Sequence, residues 1–188
     1  MAMISINDII AILLEQNYPT QIAELYNAHQ PCVKFMFNIK YACITGYYKG
    51  DTIMSRKPII AGNWKMNLLQ SDAKALYEGI KSFVEKFNAP QLPTVVIAPV
   101  FTSLNQVAEI PCDCGCKGSK LYVAGQNCHW ESSGAYTGEI SVEMLKDAGC
   151  SFVIIGHSER RQYFSETDEM INKKAKAILA GGLIPIIC

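Results

Sequence analysis

The chain has 188 residues, 49% of them hydrophobic, enough for one well-packed domain and too few for two large ones. Lys plus Arg and Asp plus Glu number 17 each, so no overall field draws the chain to nucleic acid or to an acidic membrane. An anionic ligand would have to be held by local charges and backbone dipoles.

The N-terminus does not read as a secretory signal. No Lys or Arg precedes Lys34, and Asp8 interrupts the apolar residues around Ile9 to Leu14. That apolar run is far too short to span a bilayer, and a cytoplasmic protein is expected. Residues Asn7 to Asn17 read as one helix with Ile9, Ile10, Leu13 and Leu14 on one side, and Pro19 just past its end is a stop signal. From there to residue 53 no period of 2 or 3.6 is sustained and no chemical motif appears. His29 stands alone and reads as a surface histidine. The text divides into an extension, 1–54, and a folded unit, 55–188, with Met54-Ser55-Arg56-Lys57 reading like a natural start.

Beyond Ser55 the text is regular. Short apolar runs recur at Ile59–Ala61, Val95–Ala98, Leu121–Ala124, Phe152–Ile155 and Leu183–Ile187. Between the first two, Leu76, Ile80, Phe83, Val84 and Phe87 mark one face of a helix. Ser71 with Asp72 is expected to cap its start, and Asn88 and Pro90 to end it. A shorter helix from Ser141 is expected to bury Met144, Leu145 and Ala148 and to stop at Gly149. A third follows Thr167, with Ile171, Ala175, Ile178 and Leu179 inward, and stops at Gly181–Gly182. Apolar strands alternating with helices mean βαβ units and a parallel sheet. The runs lack polar alternation, as strands covered on both faces do. The fifth run ends at Cys188, so the text reads as cut off after an uncovered strand.

Of the eight cysteines, Cys32, Cys43, Cys128, Cys150 and Cys188 are scattered and read as reduced, mostly buried small hydrophobes. Cys112, Cys114 and Cys116 cluster in an insertion before the third strand. Their C-x-C-x-C spacing is not that of a zinc knuckle, even with Cys128 or His129 nearby, so a surface loop is expected and no metal site. His129 is expected to face solvent.

Parallel α/β folds bind ligands at the carboxyl ends of their strands. Those positions carry Asn63 and Lys65 after the first strand, Gln126-Asn127 after the third, and His157-Ser158-Glu159 after the fourth. An amide, an ammonium and an imidazole on one rim suit a small molecule with a phosphate and a carbonyl. Lys65 can neutralise a phosphate or a developing enolate, and Asn63 can donate to an oxygen without titrating. His157 begins a short helix, whose dipole disfavours the imidazolium. Residue types and spacing alone lead to a phosphorylated small molecule and proton transfer.

Residues 58–67, Pro-Ile-Ile-Ala-Gly-Asn-Trp-Lys-Met-Asn, resemble the opening strand of the triosephosphate isomerase family. Ala124-Gly125-Gln126-Asn127 with Gly134-Ala135-Tyr136-Thr137-Gly138-Glu139 resembles its third loop, and residues 153–161, Val-Ile-Ile-Gly-His-Ser-Glu-Arg-Arg, its fourth strand and histidine loop. The resemblance implies a (β/α)8 barrel of the TIM type, here about the first four and a half βα units. It also implies a cofactor-free isomerase of glycolysis and gluconeogenesis that interconverts dihydroxyacetone phosphate and glyceraldehyde 3-phosphate. In that family a neutral histidine polarises the substrate carbonyl, as is long established for it. The same resemblance makes His157 that electrophile, Lys65 the charge that neutralises substrate, Asn63 an orienting group and Glu159 the partner of Lys65, with Ser158 supporting. It places Thr137 on a loop that reaches into a second subunit, implying a homodimer. Cys188 matches a cysteine at the end of the fifth strand.

Three departures from the family accompany these matches. Its catalytic glutamate follows the sixth strand and its phosphate-gripping loops follow the seventh and eighth, so 188 residues ending at the fifth strand are expected to be inactive alone. Residues 1–53 have no counterpart in the family and read as upstream sequence, a fusion or an incorrect gene model. The Cys112–Cys116 segment is an insertion. Two other readings are a non-catalytic half-barrel serving as an interaction module, and an open doubly wound sheet binding a nucleotide. Against the second, no G-x-G-x-x-G and no P-loop follows any strand.

Overall fold

A computed structural model describes residues 59–86, 94–108 and 121–188. The expected helix at 7–17, His29, Cys32, Cys43, Phe87, Asn88, Pro90 and the three clustered cysteines lie outside the described residues.

In chain order the elements are β1 (Ile59–Asn63), α1 (Gln70–Lys86), β2 (Thr94–Ala98), a 3-10 turn (Phe101–Ser103) and α2 (Leu104–Ala108). They continue with β3 (Leu121–Gly125), α3 (Val142–Asp147), β4 (Phe152–Ile155), α4 (Ser158–Phe164), α5 (Asp168–Ala180) and β5 (Ile184–Ile187). All neighbouring strands pair in parallel, in the order β1-β2-β3-β4-β5. Parallel pairing needs a crossover that returns the chain to the starting end, and helices supply it. It also brings every strand's carboxyl end to one rim, so Asn63 pairs in register with Ala98 and Ile155 with Ile187.

The sheet has two unlike faces. One carries Trp64, Ile97, Val123, Val153 and Ile155 and packs against helix residues Ala73, Tyr77, Leu104, Leu145, Ile171 and Ile178. The other is a separate cluster of strand side chains with no helix residue among them: Ala61, Val96, Ala98, Ala124, Phe152, Ile154 and Ile186. Adjacent residues alternate between the two clusters, as the period of 2 requires. Helices on one face and small or branched strand residues on the other is the layering of a (β/α)8 barrel, whose interior is filled by strand side chains. An open doubly wound sheet has helices on both faces and a reversal in strand order, so that alternative is set aside.

The helix caps follow the sequence signals in two of three cases. Ser141 Oγ accepts from Met144 N–H at 3.2 Å, and Thr167 Oγ1 from Met170 N–H at 3.3 Å. Gly149, at φ +82, takes the chain out of α3. The long helix α1, however, begins at Gln70, with Leu69 O accepting from Ala73 N–H at 2.9 Å, so Ser71 and Asp72 sit inside the first turn. Gln70 ties that turn to its neighbour, donating to Thr102 O and accepting from Gln106.

Two inward assignments fail. Met144 is 56% and Leu179 63% exposed. Each lies about 100° round its helix from a residue that is buried, Leu145 and Ile178, and the burial stripe is narrower than the apolar text. In α5 the stripe runs Ile171, Lys174, Ile178. Nor are all strands covered on both faces: Ile59, Ile184 and Ile187 are about half exposed.

Candidate active site

Asn63 is the last residue of β1, and Oδ1 of its side chain accepts from Lys65 N–H at 2.9 Å. Trp64, only 2% exposed, is packed among the helix-side residues, and its N–H donates to Ala98 O at 3.0 Å. Lys65 then adopts φ +55, a left-handed backbone unfavourable for a side chain with a Cβ. The Gln126 amide, just past β3, holds it there. Its Nε2 donates to Lys65 O at 2.8 Å and to Ala98 O at 2.9 Å, joining the ends of β1, β2 and β3.

From this backbone Lys65 Nζ reaches Glu159 Oε1 at 2.8 Å, the pairing that the family resemblance implied. Both side chains are about two-fifths exposed, so the pair contributes little to stability and leaves the ammonium open to a ligand. Gly156, at φ +68, turns the chain out of β4. A Cβ there would meet Ile171 Cδ1 at 2.9 Å and Cys188 O at 3.1 Å. His157 is the N-cap of α4, and its Nδ1 accepts from Glu159 N–H at 3.3 Å. The same Nδ1 lies 3.4 Å from Glu159 Oε2, a contact that would be an ion pair only for an imidazolium. The two states exclude each other at one nitrogen. The N–H of Glu159 is one of the first in the helix and has no intrahelical carbonyl, so the ring nitrogen serves as its cap. A neutral ring accepting there carries its proton on Nε2, as a donor.

Lys65 Nζ and His157 Nδ1 thus approach the two oxygens of one carboxylate. The side chains of Ser158 and Thr137 make no hydrogen bond or ion pair with these groups among the described residues. Ser158 is exposed, and Thr137 lies in the exposed stretch 131–139. At the base of that stretch His129 is half-buried rather than solvent-facing. Its ring stacks on Trp130, packs on Tyr136, and its Nδ1 accepts from Glu131 N–H at 3.0 Å.

Two features were missed in the sequence. One is the double donation by Gln126, which no local pattern encodes. The other is a buried ionic cluster below the rim, in which the Glu166 carboxylate accepts from Arg160 Nε and Lys174 Nζ, and Lys174 also donates to Asn127 Oδ1 at 2.8 Å. Burial pushes the Glu166 carboxyl up. The hydrogen bonds and charges of Lys174 and Arg160 outweigh that and hold it below the usual carboxylate range. A signal did exist, since Lys174 interrupts an otherwise apolar stripe. Of the scattered thiols among the described residues, Cys128 and Cys150 are free and buried as expected, and burial pushes both up to about 12, while Cys188 is free and half-buried. Among the described residues no group of His, Cys, Asp and Glu is placed to hold a metal ion, and no helix is long and apolar enough to cross a membrane.

The strand-end motifs, one-sided helix layer and converging Lys65, Glu159 and His157 accompany a match of residues 58–188 to the family model for triosephosphate isomerase. The chain belongs to that family. The triosephosphate isomerase of Streptococcus equi subsp. zooepidemicus is 55% identical over 135 residues, 72% of this chain and 50% of the relative. That of Streptococcus gordonii is 53% identical over the same shares. The crystal structure of triosephosphate isomerase from Bartonella henselae superposes with a TM-score of 0.61 at 38% identity, over 71% of this chain and 52% of that one. The chain therefore spans about half the length of the triosephosphate isomerases it matches, and the five strands among its described residues are the first part of such a barrel.

Proposed function

We propose that residues 55–188 supply the first half of a triosephosphate isomerase site, acting on dihydroxyacetone phosphate and glyceraldehyde 3-phosphate in the cytoplasmic reactions of glycolysis and gluconeogenesis. His157 Nε2–H donates to the substrate carbonyl oxygen. The Lys65 ammonium neutralises the negative charge that oxygen gains when a carbon-bound proton leaves, and Asn63 orients the substrate. Glu159 keeps the ammonium aimed, Ser158 supports the histidine turn, and Thr137 belongs to a loop that engages a second subunit in a homodimer. No cofactor is required by this chemistry. The base that takes the carbon-bound proton follows the sixth strand in the family, and the described residues provide five strands. Residues 1–54 are proposed to lie outside the catalytic unit.

The observation that carries this reading is the shared carboxylate of Glu159, 2.8 Å from Lys65 Nζ and 3.4 Å from His157 Nδ1. An electrophile and a cation so coupled suit an enediolate better than a simple phosphate ester. The test supplies the second half of a streptococcal relative as a separate polypeptide and follows isomerisation by a coupled dehydrogenase assay. The mixture should turn over, and the same mixture with His157→Gln should lose at least a hundredfold. Equal activity of the two mixtures would remove His157 from the reaction. A co-purifying but inactive complex would refute the site.

A further inference from the structure

Lys174 lies on the stripe of α5 between the buried Ile171 and Ile178, where the helical pattern asks for an aliphatic side chain. It is 3% exposed, and its acceptors are Asn127 Oδ1 and the Glu166 carboxylate, itself buried. Glu166 also holds Arg160 twice, by accepting from Nε and by donating its own backbone N–H to Arg160 O at 3.3 Å. The second carboxylate oxygen, Oε2, is buried with no hydrogen-bond partner among the described residues. Such a cluster is a poor source of stability. Desolvating the charges consumes most of their attraction, and apolar replacements of buried ion pairs are often neutral or stabilising. Its effect is geometric instead. Arg160 N–H donates to His157 O at 2.8 Å, and Asn127 directly follows Gln126, whose amide holds Lys65 O.

We propose that Lys174 and Glu166 are positioning residues for the strand-end site, locking the histidine-bearing turn of α4 against the loop that holds Lys65. This rests on the reading of His157 and Lys65 given above. The two ends of the linkage are the two groups that must face one substrate, and each is fixed by a hydrogen bond with a definite direction. An aliphatic pair at 166 and 174 would fill the same space without orienting either end.

The test uses the whole 188-residue chain, nitrogen-labelled, and reads the ring nitrogens of His157 by NMR. Their resonances are assigned by their loss in His157→Gln. In the parent chain, Nδ1 as acceptor and Nε2 as donor should give two well-separated signals. In Lys174→Met the separation should shrink as the ring samples both tautomers. In the double variant Lys174→Met/Glu166→Leu, both buried charges are gone, and Arg160, 28% exposed, can turn to water. Thermal stability should then return to the parent's value or above it, while the separation stays lost. A double variant that recovers both stability and the separated signals would overturn the proposal, as would an unchanged spectrum in Lys174→Met. Should Lys174→Met not fold, the double variant decides alone. No substrate enters the measurement, so its failure leaves the complementation assay to judge His157 separately.

Discussion

Gln126→Met removes one amide that serves two carbonyls. Ala98 O keeps the Trp64 N–H at 3.0 Å, so its loss is partial, whereas Lys65 O loses the donor at 2.8 Å that fixes its orientation. A net hydrogen bond is worth about 1 kcal/mol and half of one roughly 0.5, so the variant should lose ~1.5 kcal/mol if Lys65 stays left-handed. Relaxation of Lys65 out of that region would recover up to about 1 kcal/mol, at the expense of its aim toward Glu159. For a chain of this length ~1.5 kcal/mol corresponds to a midpoint about 3–6 °C lower in thermal unfolding followed by circular dichroism. Gln126→Asn keeps the amide but is one methylene shorter and cannot span both carbonyls, so it should fall by a similar amount. A cooperative transition within about 1 °C of the parent for both variants would refute the idea that this amide holds the Lys65 turn.

The acid limb of stability should depend on Glu166. Its carboxyl is held below the usual range when folded, so the stabilisation is present above the unfolded value of about 4.3 and is lost as pH falls through the folded one. Urea midpoints of Glu166→Gln should accordingly flatten below about pH 4 relative to the parent, and parallel curves would contradict this. Cys128 and Cys150, buried and pushed up to about 12, should be alkylated at about pH 8 at least tenfold more slowly in the native chain than in urea, as read by peptide mass spectrometry. Rates equal in both states would mean that neither thiol is shielded.

The strands were legible because residues such as Val95–Ala98 and Phe152–Ile155 are continuous apolar text bounded by breaks. Ser141 and Thr167 were legible as helix starts because the capping bond each makes is local, three residues along. The pairing of Lys65 with Glu159 was accessible only through family resemblance, since 94 residues separate them. Helical phase was harder. Leu179 and Ile178 are equally apolar, and only the neighbours packed above them decide which turns inward; Lys174, which the sequence reading passed over, shares the buried stripe with Ile171 and Ile178. Gln126 and the left-handed Lys65 were illegible in principle. Both depend on where the carbonyls of β1 and β2 end, which is tertiary information.

Trp64 gives the rim an internal optical gauge. Its indole is sealed among apolar side chains, yet it is bonded through the chain to Asn63 on one side and Lys65 on the other. Any ligand that drew those two toward itself would tilt a fluorophore shielded from water quenching. With the second indole, Trp130, replaced, light emitted from the interior would thus report on chemistry at the mouth, without a label and without touching either polar group.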